Sequence, residues 1–439
     1  MRQAIAWLSL LAALIGLSTG LEHLFGEYIQ NGLLLDPSSH HHHDHSQCRI
    51  SPPPQTPRHI EQDRKLAGRM KKTRDMNVHH PRTRLLDALH GYARYYQRQR
   101  EELDRLQSLY KKVTRSQHRI LEKHVRYSDK FITTDSLLRQ NQALCSSMVD
   151  SALSFYGVSR PELEDHIRRR ESEGRKPDRV AVSQTLKHIV RDWTVDGAAY
   201  ERDDCFDCIA RTLDKLFPEN PDSIRVLLPG SGLGRLGHDI SQKGFQVTLN
   251  EWSMFMNVAY RFLETHASSP SDISIHPFID SWSHHASTAD MQRPVRFPDV
   301  ALNASGVVLV EGDFTTVLSG PDAAGAYDVV VTYFFIDTAR NLASYFDTIR
   351  HLLRKGGHWI NLGPLLYGTA PFVQLSLDEI VTVVTEGYGF RLLDLAGPEC
   401  GLVTVPGVNV RGMQAAYGFD DRALTRNAYH AQFWVAQKT

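Results

Sequence analysis

Three alternating glycines, Gly230, Gly232 and Gly234, follow the apolar run Val226–Leu228, and an acid, Glu251, stands just past the next apolar run, Phe245–Leu249. A backbone that turns tightly on glycine can come close to a ligand, and a helix opening behind the turn aims its free N–H groups at the same place. A carboxylate at the end of the following strand can accept hydrogen bonds from both hydroxyls of a ribose. This order of strand, Gly-rich turn, helix, strand and acid predicts a pocket for a nucleoside-containing cofactor. Two further acids end apolar runs downstream. Asp313, in Glu311-Gly312-Asp313-Phe314, stands where a side chain can reach an adenine amino group. Asp337 closes Tyr333-Phe334-Phe335-Ile336-Asp337 at the carboxyl end of a fourth strand, where open α/β sheets bind substrates. A helix N-cap for the segment from Thr338 is the competing reading of Asp337.

The elements that must position these groups are legible as alternation. Strands are expected at 224–228, 245–249, 306–310, 327–333, 357–362, 391–395 and 430–437, with amphipathic helices at 340–354 and 377–387. Such alternation implies a mostly parallel sheet covered on both faces. The Ser-, Pro- and His-rich stretch 265–300 reads as an insertion over the sheet. Before the sheet, Leu85, Leu89, Tyr92, Tyr96, Leu103, Leu106 and Tyr110 recur at mostly helical spacing. We therefore divide the chain into a sheet domain, 223–439, a helical region, 83–222, and a His/Pro-rich, basic linker, 21–82, behind an apolar segment, 1–20.

The chain has 439 residues, 50 basic and 50 acidic, so its formal charge is zero and no nucleic-acid partner is expected. Its five cysteines are scattered and odd in number, which argues against a disulfide framework and for a reducing compartment. Cys205 and Cys208 read as core thiols. The His-rich tract near residue 40 has no second ligand group beside it and reads as a polar spacer, so no metal site is expected. Ala4–Leu17 is almost wholly apolar and resembles a signal peptide or short anchor, short for a full membrane span. Cofactor supply and cysteine usage point to the cytoplasm, with the nucleus, as the compartment. Secretion or membrane anchoring through residues 4–17 is the alternative. The helical region could also supply a homodimer surface.

The Gly-rich loop alone leaves the cofactor open. Gly232-Leu-Gly234-Arg-Leu-Gly237 fits the dinucleotide pattern, and Gly230-Ser-Gly232-Leu-Gly234 fits the pattern of S-adenosylmethionine enzymes. The downstream set, EGDF, YD opening a strand that ends in YFFID, then RKGGHWI, resembles a class I S-adenosylmethionine-dependent methyltransferase. RDW…ERD, PGSGLGRLG, NEWSMFMN, YFFIDTARN, GGHWINLGPLLY and NAYHAQFWVAQK, in that order, are similar to the carnosine N-methyltransferase family over about 83–438. The resemblance implies an α/β fold, a Rossmann-like seven-stranded methyltransferase sheet whose last strand is antiparallel, behind an N-terminal helical region.

It also implies roles. S-adenosylmethionine is the expected cofactor and a small histidine-containing peptide the expected substrate. Gly230, with Gly232 and Gly234 of the same loop, and Glu251 would bind the cofactor, with Asp313 on the adenine side. Arg191 matches an arginine that clamps the methionine carboxylate, although a surface or intra-helix ion pair with a nearby acid is the plainer reading of that residue. His188 stands where the family usually has glutamine. Phe334 and Tyr429 match substrate contacts, and Asp337 would orient the imidazole and accept its proton. One departure concerns the acceptor: GPLLY is followed by Gly368, where the family carries a histidine that helps hold carnosine. Another histidine-containing peptide, a protein histidine or a non-catalytic scaffold therefore stand as alternatives to carnosine methylation.

Overall fold

The computed structural model describes residues 56–439 apart from Asp75, Thr369 and Ala396. The apolar segment and the His-rich tract lie outside the described residues. The centre is a nine-stranded sheet. Its strands are β1 (Arg225–Pro229), β2 (Gln246–Glu251), β5 (Val307–Glu311), β6 (Tyr327–Tyr333), β7 (Leu353–Gly363), β8 (Phe390–Leu393), β9 (Leu402–Val403), β10 (Arg411–Ala416) and β11 (Ala428–Lys438). A separate hairpin of β3 (Ile273–Ile275) and β4 (Val295–Phe297) occupies the stretch read as an insertion. The order runs β5-β2-β1-β6-β7-β11, parallel up to β7, and β11 is antiparallel to β7. The first five strands are apolar because both faces are covered: β5 is buried at every position and β1 at all but its first.

The sheet has two more strands than the seven expected. β11 is long enough to pair twice along its outer edge, with β8 at Val435–Lys438 and with β10 at Ala428–Phe433. β10 reads RGMQAA, a glycine- and alanine-rich run with little strand preference, so only its partner makes it a strand.

Eleven helices of eight or more residues are described. Seven precede the sheet: α1 (Pro57–Arg69), α2 (Pro81–Ala93), α3 (Tyr95–Tyr110), α4 (Arg115–Val125), α5 (Tyr127–Tyr156), α6 (Arg160–Ser172) and α7 (Arg179–Trp193). α8 (Asp203–Leu216) leads to β1, and α9 (Arg235–Gln242), α10 (Met254–His266) and α11 (Leu342–Leu352) lie within the sheet domain. The apolar stripe read from Leu85 to Tyr110 spans α2 and α3, and Leu85, Leu89, Tyr92 and Leu103 are buried. Tyr92 donates to the Phe255 carbonyl on α10 at 2.8 Å, and Tyr156 of α5 donates to Glu311 at the end of β5 at 2.9 Å. Arg261 completes that buried cluster, donating to both Glu311 and Glu264.

Two readings need correction. Part of the stretch read as linker is α1, capped by Thr56 with Pro57 in its first turn, and it packs on the sheet edge. Arg58 donates to the Val247 carbonyl at 3.0 Å, and the His59 ring meets the Val307 carbonyl at 2.8 Å. Polar and basic composition hid it, because its anchors are side-chain hydrogen bonds to strands far away in sequence. Likewise Cys208 is not a free core thiol: it is bonded to Cys400, 192 residues away, while Cys145 and Cys205 are free and buried. Pairing over that distance leaves no spacing signal, so the cysteines no longer argue for a reducing compartment. Among the described residues no helix is long and apolar enough to cross a membrane, and no cluster of metal-ligating side chains occurs.

Candidate functional site

β1 pairs with β2 on one side and β6 on the other, so the sheet reverses its winding direction beside β1 and leaves a crevice at the carboxyl ends. A cavity of about 210 Å³ opens there, lined by the Gly-rich loop, Glu251, His188, Arg191, Tyr333, Phe334 and Tyr417 among others. Gly230 and Gly232 both have positive φ, 64° and 57°, which other residues adopt only at a cost. A Cβ on Gly230 would lie 2.3 Å from the Phe335 ring, and one on Gly232 would face the Arg191 guanidinium at 3.4 Å. Gly234 ends the turn, and α9 starts directly behind it.

Glu251 is buried at the end of β2. Its Oε2 accepts the Gly232 N–H at 2.9 Å and its Oε1 the Ser253 N–H at 2.7 Å. Burial pushes its carboxyl above the usual range, against the pull of these N–H groups. Each oxygen keeps a lone pair for a further donor, as ribose recognition requires.

The end of α7 carries the other wall. Arg191 donates to Asp192 through Nε at 2.7 Å and Nη2 at 3.3 Å. Asp192 in turn accepts the Leu233 N–H, and the Trp193 indole donates to the Leu233 carbonyl at 3.0 Å. HIVRDW is therefore fastened to the Gly-rich loop from both sides. The intra-helix ion pair exists, and it sits inside the cavity with Nη1 left uncommitted. Burial opposes the charge on Asp192, but Arg191 outweighs it and holds the carboxyl below the usual range. His188, one turn earlier, is pushed down to about 3 by burial and by Arg191, so it is neutral, and its Nδ1 is buried with no partner.

At the far side of the cavity β6 ends at Tyr333, and Phe334 takes a positive φ of 50°. That twist breaks the strand's alternation and turns the Phe334 ring onto Tyr417, stacked at 5.4 Å, with Tyr429 edge-on at 6.0 Å. Phe335 turns the other way, buried against Tyr345 at 4.6 Å. Asp337 follows within a 3-10 turn, Ile336–Thr338, so it does not cap a helix. It is buried, its Oδ2 accepts the Leu366 N–H at 3.2 Å, and burial raises its pKa to about 6. Tyr417 and Tyr429 both lie within range of its charge. Gly368, on the loop beyond Leu366, is exposed, and a Cβ there would meet only open space.

Gly230, Gly232, Glu251, His188, Arg191 and Phe334 thus line one cavity, Tyr429 meets the Phe334 ring, and the charge of Asp337 reaches Tyr417 on the cavity wall. Asp313 stands apart: it is exposed and caps a short helix, accepting the Thr315 N–H at 2.9 Å. Its charge and that of Glu251 both reach Arg84, whose guanidinium lies over the Trp252 ring at 3.8 Å. Sequence reasoning missed Asp192 and Trp193, which hold the loop, and Tyr417 and Phe419. Phe419 packs edge-on against His188 at 4.9 Å. The adjacency of Asp192 and Trp193 to Arg191 could have flagged them. Nothing in the sequence around Tyr417 singles it out.

The carnosine N-methyltransferase family signature matches residues 170–439. The carnosine N-methyltransferase of Mus musculus is 31% identical over 350 residues, covering 77% of this chain and 82% of the mouse protein. The chain belongs to the carnosine N-methyltransferase family. The Schizosaccharomyces pombe carnosine N-methyltransferase is 34% identical over 278 residues, covering 58% of this chain and 70% of its own length. Among solved structures, a magnesium protoporphyrin IX methyltransferase of Synechocystis with bound S-adenosylhomocysteine is similar at 14% identity and a TM-score of 0.29. That likeness covers 60% of this chain and 85% of the other and is too distant to carry weight.

The protein is an S-adenosylmethionine-dependent N-methyltransferase. The residues present fit that cofactor. The Cβ-free face of Gly232 opens toward Arg191, and the buried, unpartnered His188 Nδ1 leaves a polar contact for a ligand.

Proposed function

We propose that the methyl acceptor is the imidazole of a histidine-containing dipeptide and that the reaction converts carnosine to anserine. The observation that supports this most is Asp337: a buried carboxylate with one oxygen committed to Leu366, whose charge reaches Tyr417, the ring stacked on Phe334. S-adenosylmethionine supplies an electrophilic methyl group on a sulfonium. In this reading Glu251 holds the ribose, and Arg191 and His188 the methionine end. Asp313 is our candidate for the adenine side.

On the acceptor side, Phe334 and Tyr429 offer flat faces for an imidazole ring. The ring nitrogen that attacks must be neutral, and free imidazole, with a pKa of about 6.5, is mostly neutral at pH 7. Asp337 accepts a hydrogen bond from the other ring N–H, which fixes the tautomer. As the N–C bond forms and the methyl–sulfur bond breaks, releasing S-adenosylhomocysteine, positive charge grows on the ring and the carboxylate stabilises it. The ring's one N–H proton then passes to Asp337, whose carboxyl, raised to about 6, can take it and release it to water.

A second reading rests on Gly368. Gly368 is exposed and has no side chain where the resemblance implies a histidine, which suits a longer histidine-containing peptide or a protein histidine. Mass spectrometry of reactions with carnosine and with a peptide panel, with Asp337→Ala as control, tests both. One methyl on the carnosine ring, lost in the control, is the expected result. Transfer only to longer peptides would move the substrate. Binding of S-adenosylhomocysteine with no transfer to any acceptor would mark a non-catalytic scaffold.

A further inference from the structure

We propose that Glu201 is a positioning residue of the acceptor site, holding in place the loop that supplies the Tyr417 and Phe419 rings. It belongs to a five-residue π-helical segment, Ala198–Arg202, inserted between the end of α7 and α8. Such segments are uncommon and concentrate at functional sites. Here the wider turn presents two adjacent charged side chains to opposite halves of the site. Arg202 donates to the carbonyls of Arg191 and Asp192, the cofactor wall, at 3.1 and 2.6 Å. Glu201 points the other way, and its Oε1 accepts the backbone N–H groups of both Gly418 and Phe419.

Those two amides sit where the chain leaves β10. The loop continues to Asn427, whose carbonyl accepts the Tyr417 N–H at 3.0 Å, and its far side is tied to Arg293 through Asp420 at 2.6 Å. The near side, which carries both rings, rests on Glu201. Tyr417 stacks on Phe334, and Phe419 packs on His188. Fold stability alone gives a poor account of this residue. Glu201 is buried, its second oxygen Oε2 has no partner, and a half-satisfied buried carboxylate is costly. Burial raises its pKa against the pull of the two N–H groups. What the arrangement gains is a fixed distance between the cofactor wall and the aromatic wall.

The proposal rests on the acceptor site being the one described above, and its test separates the two. Three variants are compared with the full-length enzyme: Glu201→Ala, Glu201→Asp, which shortens the reach by one methylene, and Glu201→Gln, which keeps an acceptor oxygen. Hydrogen–deuterium exchange over 411–427 is measured beside acceptor KM, kcat and S-adenosylhomocysteine affinity. Glu201→Ala and Glu201→Asp are expected to speed exchange in that segment and leave it unchanged in 225–251. They should raise acceptor KM roughly tenfold while cofactor affinity falls by clearly less, since the loop meets the cofactor wall through Phe419 on His188. Glu201→Gln should restore both. Should Glu201→Ala not fold, Glu201→Asp carries the test. Wild-type exchange and KM in Glu201→Asp, or equal losses of cofactor and acceptor binding in every variant, would overturn the proposal. If the wild type methylates no imidazole, the acceptor reading falls, and the exchange data alone decide whether Glu201 holds the loop.

Discussion

Replacing Asp337 with asparagine separates the cost of this carboxylate from its use. The side chain keeps its shape, and the amide oxygen can still accept the Leu366 N–H. The charge is lost, and one acceptor oxygen becomes an N–H donor. The carboxyl rises from an ordinary 3.8 to about 6. At about 1.4 kcal/mol per tenfold, holding that charge at pH 7 costs the fold roughly 3 kcal/mol, an upper bound if the site relaxes. The sign follows from the direction. The folded pKa lies above the unfolded one, so the penalty is full above about 6 and fades as pH falls through 6 towards 3.8. Asp337→Asn should therefore melt a few degrees higher than wild type at pH 8, and the two should converge near pH 4. Methyl transfer should fall roughly a hundredfold or more, because the proton acceptor and its charge are gone. In the wild type, kcat should decline on the acid side with an apparent pKa near 6, and the variant should lose that limb. Differential scanning fluorimetry across pH, with product quantified by mass spectrometry, reads both effects. A variant that keeps most of its turnover, or that is less stable than wild type at pH 8, would refute the reasoning.

Three other substitutions test separate parts of the site. Arg191→Lys removes the planar fork that grips Asp192 and the nitrogen left for the cofactor, so S-adenosylhomocysteine affinity measured by calorimetry should fall about tenfold or more. Gly368→His adds a side chain where only open space is met, and if carnosine is the acceptor its KM should drop roughly three- to tenfold in steady-state assays. Cys208→Ala removes a bond that closes a loop of 192 residues. It should cost about 2–5 kcal/mol in denaturant unfolding, and a reductant should produce the same loss in the wild type but not in the variant.

The sequence by itself determined whatever is local. Apolar runs in the first five strands announce a doubly covered sheet, because both faces must be buried. The glycines of the loop and the acid at the end of β2 line the cavity through backbone shape and position within one continuous stretch, so Gly230, Gly232 and Glu251 could be named from it. Motif order carried the family, and with it Arg191, Phe334, Asp337 and Tyr429. Tertiary structure decided what depends on contacts between distant segments. β10 is a strand only because β11 has an edge to spare, and α1 is fixed by hydrogen bonds to β2 and β5 that its polar sequence does not advertise. The Cys208–Cys400 bond joins residues with no spacing relation. The aromatic wall depends on Phe334 leaving the strand with positive φ, and on Tyr417 arriving from a hairpin held by Glu201. The rise of the Asp337 pKa is of the same kind: an aspartate's identity gives its charge, but only burial by the surrounding chain sets the pH at which that charge exists.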